Sequence, residues 1–392
     1  MDTVITAARV LPVPGSPLTN GAVLVRDDKI VAVGAHEDVV RQAAPGFTRR
    51  DFPASTVMAG LFNSHVHLAF DAGKDLLGPL ESSTPDELRA AARERTAQLL
   101  STGVTTIRDL GDRDHLAISV REALGKEGVA APRILAAAIP LTVPEGHCHF
   151  FGGAAADDDE LRALIDANAE AGADVIKVMA SGGQITPGGA DMWESQFDAR
   201  QLEVIVEHAR RHGLPVAAHA HGADAIESCV DAGVSTIEHC TWMVGPQRSD
   251  MREPVAKRMA DRGIAACSTS SRNWRMMVER MGDEVAQRIY GRLTWMEGLG
   301  VPLIAGTDAG LPGSVFDDPV GALELYEWLG FSRTRILEIA TTDSARALGL
   351  GEVTGRLAPG YSADLLVVAG DPLKNLGALA DVELVLAAGR AG

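Results

Sequence analysis

At the start of the chain the apolar positions come in short runs broken by turn residues: TVITAARVLPV, GAVLVRDDKIVAVG and TRRDFP. Short runs bounded in this way predict strands. After Thr56 the pattern changes to apolar runs that alternate with stretches of helical periodicity. The runs TVMAGLFNSH, VTTIRDL, RILAAAIP, DVIKVMA, LPVAAHAH, VSTIEHC, GIAACSTS and VPLIAGTD predict strands; TPDELRAAARERTAQLLSTG, DDDELRALIDANAEAGA and DARQLEVIVEHARRHG predict helices between them. The first of these helices has a strong start signal, with Thr84 as cap, Pro85 in the first position and Glu87 three residues after the cap. Strand–helix units in this number, over roughly 290 residues, predict an α/β chain with a TIM (β/α)8 barrel. An open doubly wound sheet is the competing arrangement, but no Gly-rich dinucleotide turn follows the first run. The tail, GRLAPGYSADLLVVAGDPLKNL and DVELVLAAGR, returns to short strands. Residues 1–55 and 349–392 are therefore expected to form one small β-sandwich domain flanking a barrel domain of residues 56–348.

Composition narrows the function classes. The chain has 392 residues, 46% of them hydrophobic, enough for a large core. A net charge of −17 argues against a nucleic-acid surface, which is usually basic. The start, Met1-Asp2-Thr3, has neither a basic segment nor a long apolar one, and no apolar run approaches the roughly 18 residues of a membrane helix. The four cysteines, Cys148, Cys229, Cys240 and Cys267, lack CxxC spacing, so no disulfide framework or cysteine zinc site is expected. These features predict a cytoplasmic protein acting on a small molecule, with no nucleic-acid or membrane partner and with homo-oligomerisation open.

The chemistry lies at the ends of the predicted strands. In GLFNSHVHLAF, His65 and His67 are two residues apart, and strand side chains at that spacing share a face. His219 and His221 end the fifth run, His239 the sixth, and Asp308 the eighth; Lys177 sits inside the fourth, between Ile176 and Val178. A barrel places its chemistry on that rim. Each residue alone has a plain structural account: a hydrogen-bonded histidine, or an aspartate that caps a turn. Lysine resists such an account, because it is rarely buried without a partner. Neutral imidazole and carboxylate suit Zn²⁺ or a similar ion. Four of these histidines with the aspartate already exceed one closed tetrahedral site and could hold two ions if a bridging anion were added. Burial favours the neutral amine of a lysine, which can react with CO₂ to give a carboxylate-like carbamate.

Taken together, these motifs resemble the amidohydrolase superfamily, of the binuclear kind with a carboxylated lysine, and within it the prolidase-like dipeptidases and N-acyl amino acid hydrolases. The resemblance runs over nearly the whole chain, through GAVLVRDDKIVAVG, IKVMASGG, AAHAHG, TIEHCTW, AGTDAG and GYSADLLVVAGDPL. It implies two divalent ions, zinc by preference. His65, His67 and Asp308 would hold one, His219 and His239 the other, and the carbamate of Lys177 would bridge them. His219 rather than His221 is the implied ligand, as the first histidine of HAHG. The resemblance further implies attack by a metal-bridging hydroxide on an amide carbonyl, with Asp308 passing the proton to the leaving amine. The substrate would be a dipeptide of Xaa-Pro type or an N-acyl amino acid.

Some positions depart from the family's habits. Cys240 stands where glycine is common, and Ser181 where threonine is common. PEGHCHFFGG holds a second pair, His147 and His149; His147 matches a histidine the family places near substrate, and His149 has no assigned role. His147, His221 and Arg272 are the candidate substrate contacts, Arg272 as a clamp for a carboxylate. Cyclic-amide or lactone hydrolysis and deamination on the same fold are the alternatives, and a non-catalytic scaffold is a third.

Overall fold

The computed structural model describes residues 2–392. Eight parallel strands fall in the order the sequence predicts: Leu61–Val66, Val104–Asp109, Arg133–Ala136, Ile176–Met179, Val216–Gly222, Thr236–Gly245, Ala265–Cys267 and Leu303–Ile304. The first three pair as one parallel sheet, and the last five as another. Hydrogen bonds join the two sheets along both edges. Between the third and fourth strands Leu141 N donates to Lys177 O at 2.8 Å, and Met179 N to Leu141 O at 2.9 Å. Between the eighth and the first, Ser64 N donates to Ala305 O at 2.7 Å, Asp308 N to His65 O at 2.9 Å and His67 N to Ala309 O at 2.8 Å.

Helices follow most strands, and their starts obey local capping chemistry. Thr84 and Glu87 form a reciprocal capping box on helix Pro85–Ser101, as the sequence predicts, and Asp198 with Gln201 does the same for helix Ala199–Arg211. Asp157 accepts from the amides of Asp159 and Glu160 at the start of helix Asp158–Glu170. Among the described residues no helix is long and apolar enough to cross a membrane.

Both chain ends meet in one seven-stranded sheet. The strand Leu365–Ala369 pairs antiparallel with Thr48–Ala59, which in turn pairs parallel with Asp2–Leu11. Strand alternation divides its faces. Leu365 and Val367 join an apolar cluster of the sheet's own, with Ile5, Val57 and Leu386, while Leu366 and Val368 join the main core of the α/β part. One sheet is hydrogen-bonded throughout, where the sequence suggested a sandwich.

The apolar run TVMAGLFNSH, expected as one strand, is two. Thr48–Ala59 belongs to the terminal sheet and Leu61–Val66 to the parallel strands, with Gly60 between them. The side chain of Thr105 on the neighbouring strand occupies the space beside Gly60: a Cβ there would lie 2.1 Å from Thr105 Oγ1 and 2.3 Å from Cγ2. Chain crossing from one sheet to the other therefore requires a residue without a side chain. Gly60→Ala should destabilise the protein by about 1–3 kcal/mol, the usual cost of forcing volume into a packed interior. Adding Thr105→Ala, which removes the two nearest atoms, should recover much of that loss. A urea midpoint for Gly60→Ala equal to the parent's would overturn the steric argument.

Candidate active site

The strand ends open on a cavity of about 390 Å³. His65, His67, Lys177, His219, His239 and Asp308 all line it. So do His147, from the loop after the third strand, and His221. Arg272 does not. Its neighbours Ser271 and Asn273 face the cavity, whereas its own Cβ packs beside Gly321 and its guanidinium, half exposed, lies 3.7 Å from Asp318, the cap of helix Pro319–Trp328. The expected role of Arg272 as a carboxylate clamp is corrected accordingly. His149 also lies outside the cavity lining, its Nδ1 3.0 Å from Gly146 O in a short 3-10 turn.

Three acceptors converge at the first strand's end. His65 Nε2 lies 3.2 Å and His67 Nε2 3.3 Å from Asp308 Oδ1, and the two Nε2 atoms are 3.3 Å apart. The far side of each ring is already engaged. His65 Nδ1 donates to Glu238 Oε2 at 2.8 Å, and His67 Nδ1 to Gly111 O at 3.2 Å. With the proton on Nδ1, each Nε2 presents a lone pair. Asp308 Oδ1 is buried and has no hydrogen-bond partner. Three lone pairs facing one another need a proton or a cation between them. The proton alternative is visible in His67: burial opposes its charging, but the Asp308 carboxylate raises it above its ordinary value. The donor set is equally that of a divalent-metal site.

A second group adjoins the first. His219, His221 and His239 bring one ligand nitrogen each to within 4.8 Å of one another, and His239 also groups with His65 and Asp308. His221 and His239 stack with centroids 4.4 Å apart. The structure thus places His221 as close to the second group as His219. Burial, before any neighbouring charge, holds His219 well below its ordinary value and lowers His221 to about 3 and His147 to about 4. These are neutral imidazoles at pH 7, the form that binds metal or donates one hydrogen bond. Lys177 is 1% exposed, and among the described residues no hydrogen bond or ion pair reaches its ammonium. Burial lowers its pKa against the raising pull of Glu238 and Asp308.

Backbone conformation aims several of these groups. His239, Thr269 and Asp308 all have left-handed φ, at 66°, 52° and 59°. Such conformations are costly for residues other than glycine and collect at functional sites. His239 sits where the sixth strand loses register with the fifth, and its Nδ1 lies 2.7 Å from Thr269 Oγ1. The next residue, Cys240, is also left-handed, at φ 48°. A glycine would adopt that conformation freely. Cys240 instead packs its buried Sγ 3.8 Å from Met296 Sδ.

Sequence reasoning missed the support beneath the histidines. Glu238 is fully buried, holds His65 with one oxygen and accepts from Arg108 Nη2 with the other at 2.8 Å. Arg108 also donates to Ser64 O and to Thr236 Oγ1. Both charges stand inside apolar strands, VTTIRDL and VSTIEHC, and the criterion that singled out Lys177 would have found them. It also missed Arg292, which is 5% exposed in the cavity wall.

The profile of the amidohydrolase family matches residues 56–391. The chain belongs to the amidohydrolase family. Hydrolysis of a carbon–nitrogen bond is its class of reaction. Ochratoxinase of Aspergillus niger is 26% identical over 408 aligned residues, covering 95% of this chain and 82% of its own. A prolidase solved in complex with N-methylphosphonate-L-proline superposes with a TM-score of 0.85 and 26% identity, covering 100% of this chain and 99% of its own. A Xaa-Pro dipeptidase with methionine bound in its active site shares the fold, with a TM-score of 0.87, 23% identity and 100% coverage of both chains.

If the converging acceptors hold an ion, the group that fixes His65 should control affinity. Glu238→Gln keeps the shape but weakens the bond to Nδ1 and leaves Arg108 without its anion. It should lower zinc affinity about 10–100-fold, the range seen when such outer partners of metal ligands are changed. A competition titration against a chelator measures it, and unchanged affinity would remove Glu238 from the account.

Proposed function

We propose that the chain is a binuclear metal-dependent amidohydrolase whose substrate is an amide of an amino acid: a dipeptide of Xaa-Pro type or an N-acyl amino acid. The paired strand sheets are read as a closed (β/α)8 barrel of residues 56–348, with the terminal segments 2–55 and 349–392 as its flanking β domain. Bound divalent ions would polarise the scissile carbonyl and acidify water. His65, His67 and Asp308 would hold one ion, and His219 and His239 the other. Lys177 would supply a further anionic ligand as a carbamate, which its neutral amine would form by bonding to the carbon of CO₂ and releasing a proton. The Asp308 carboxylate takes the proton of the attacking water and delivers it to the leaving amine.

Arg292 carries the substrate assignment. It is a buried guanidinium in the wall of the catalytic cavity, and among the described residues no carboxylate lies within ion-pair distance of it. Its Nη1 donates to Ile289 O at 2.6 Å, but its Nε is buried without a partner. Burial pulls its pKa down. An unpaired buried cation is costly, and a carboxylate entering the cavity relieves that cost. Neutral His147 adds one donor, while His221 Nδ1 is engaged with Thr241 Oγ1 at 2.9 Å. The side chain of the substrate faces Met179, Met192, Trp274 and Met277, an apolar wall suited to a proline or an aromatic acyl group. The similarity to ochratoxinase and to the prolidase supports the same class.

Two measurements test this reading. Lys177→Ala should lose bound metal and at least about 10²-fold in kcat, the scale of removing one essential electrostatic group, and formate or acetate should restore part of both. Unchanged metal content and turnover would make the lysine structural. Separately, the parent enzyme should prefer substrates with a free carboxylate over their carboxamides by about 2–5 kcal/mol in kcat/KM, the cost of leaving a buried charge unpaired. Arg292→Met should erase most of that preference. Equal cleavage of acid and amide by the parent would discard the clamp and favour the cyclic-amide or lactone reading.

A further inference from the structure

Three side chains outside the catalytic cavity form a second donor cluster. His208 lies in the last turn of helix Ala199–Arg211 and His212 caps its C-terminus, four residues on, so the two rings share a face. Asp166 faces them from the neighbouring helix, Asp158–Glu170. Both Nε2 atoms lie 2.6 Å from the same oxygen, Asp166 Oδ1, and the ring centroids are 5.5 Å apart. One ligand atom from each residue lies within 4.8 Å of the other two. His208 is mostly covered, with its side chain 12% exposed, while His212 and Asp166 open to solvent at 33% and 45%.

We propose that Asp166, His208 and His212 form a binding site for a divalent transition-metal ion of the Zn²⁺ type, separate from the catalytic centre. Two imidazoles and a carboxylate make the three protein ligands of such a site, and the exposed side leaves the fourth position to water. Asp166 Oδ2 makes no hydrogen bond among the described residues and is free to turn toward an ion. His208 Nδ1 is buried without a partner, so only the Asp166 carboxylate holds the ring's proton on Nε2, and an ion taking up Nε2 would move that proton to Nδ1. A hydrogen-bonded triad alone would send two donors to one oxygen and leave the other oxygen unused. An ion uses the same convergence and takes one donor atom from each group.

The position gives the site a consequence. Helix Asp158–Glu170 leads into the strand that carries Lys177, and helix Ala199–Arg211 into the strand that carries His219. An ion held between them braces the two helices behind those strands. The net charge of −17 favours cation capture.

Zinc binding to the 392-residue chain, followed by equilibrium dialysis, tests the proposal without reference to turnover. The parent should hold one equivalent per chain more than His212→Gln, a change at the more exposed histidine that leaves the fold intact. His208→Gln and Asp166→Asn should each weaken that equivalent by about 10-fold or more, since each removes one ligand. Zinc added to chelator-treated protein should raise the Tm of the parent by more than that of His212→Gln, while kcat at saturating zinc stays the same in both. Equal zinc content and equal Tm response in the parent and His212→Gln would overturn the site and leave the triad as a helix-to-helix hydrogen bond.

Discussion

Three acceptor atoms forced together without a donor set the terms for the rest of the molecule. His65 Nε2, His67 Nε2 and Asp308 Oδ1 lie within 3.3 Å of one another, buried, with the other ring nitrogens already committed. Left empty, such a cluster repels itself. It stays assembled because the parallel strands hold it: His65 and His67 sit on the first strand, and backbone bonds from Ser64, His67 and Asp308 lock that strand to the segment carrying Asp308. The fold supplies the stability that the site spends, and a cation bound there would return part of it.

Beneath the cluster lies a buried ion pair, Arg108 with Glu238. Such pairs seldom add stability over apolar side chains of similar size, because desolvation cancels much of the attraction. Retaining one here makes sense as positioning. Glu238 fixes the ring of His65, and Arg108 keeps Glu238 ionised, well below the usual carboxylate range although burial alone would raise it. Arg108 then extends the same network to Ser64 and Thr236, on two different strands. The orientation of His65 thus depends on charges contributed by two other strands, the second and the sixth.

The cavity combines this rigid floor with a wall of another character. Its floor comes from strand ends; its wall comes from the helical segment after the seventh strand, with Trp274 and Arg292 at its two ends, and from the loop after the fourth strand, with Ile185 and Met192. Trp274 is anchored through Nε1 to Gly321 O at 2.8 Å, and Arg292 through the carbonyl of Ile289. The buried donor cluster and the wall that carries Trp274 and Arg292 therefore rest on separate elements.

The sequence by itself determined what depends on local periodicity and on residue type. The alternation in NSHVH put two imidazoles on one face, the lysine inside DVIKVMA marked a buried amine, and Thr84-Pro85 with Glu87 marked a helix start. Each of these signals lies within a few residues, where backbone geometry alone relates the side chains. Whatever depends on a neighbour distant in sequence was decided only by tertiary structure. The strand break at Gly60 is invisible in TVMAGLFNSH because Thr105 enforces it. Arg272 and Arg292 look alike as loop or helix charges; one caps toward Asp318 in solvent and the other is buried without an anion, because the intervening helices fold back over the cavity. Spacing alone set His208 and His212 on one helix face, but Asp166, more than forty residues earlier, meets them only because two helices pack side by side. Burial and partnership are properties of three-dimensional neighbours, and no short stretch of sequence specifies them.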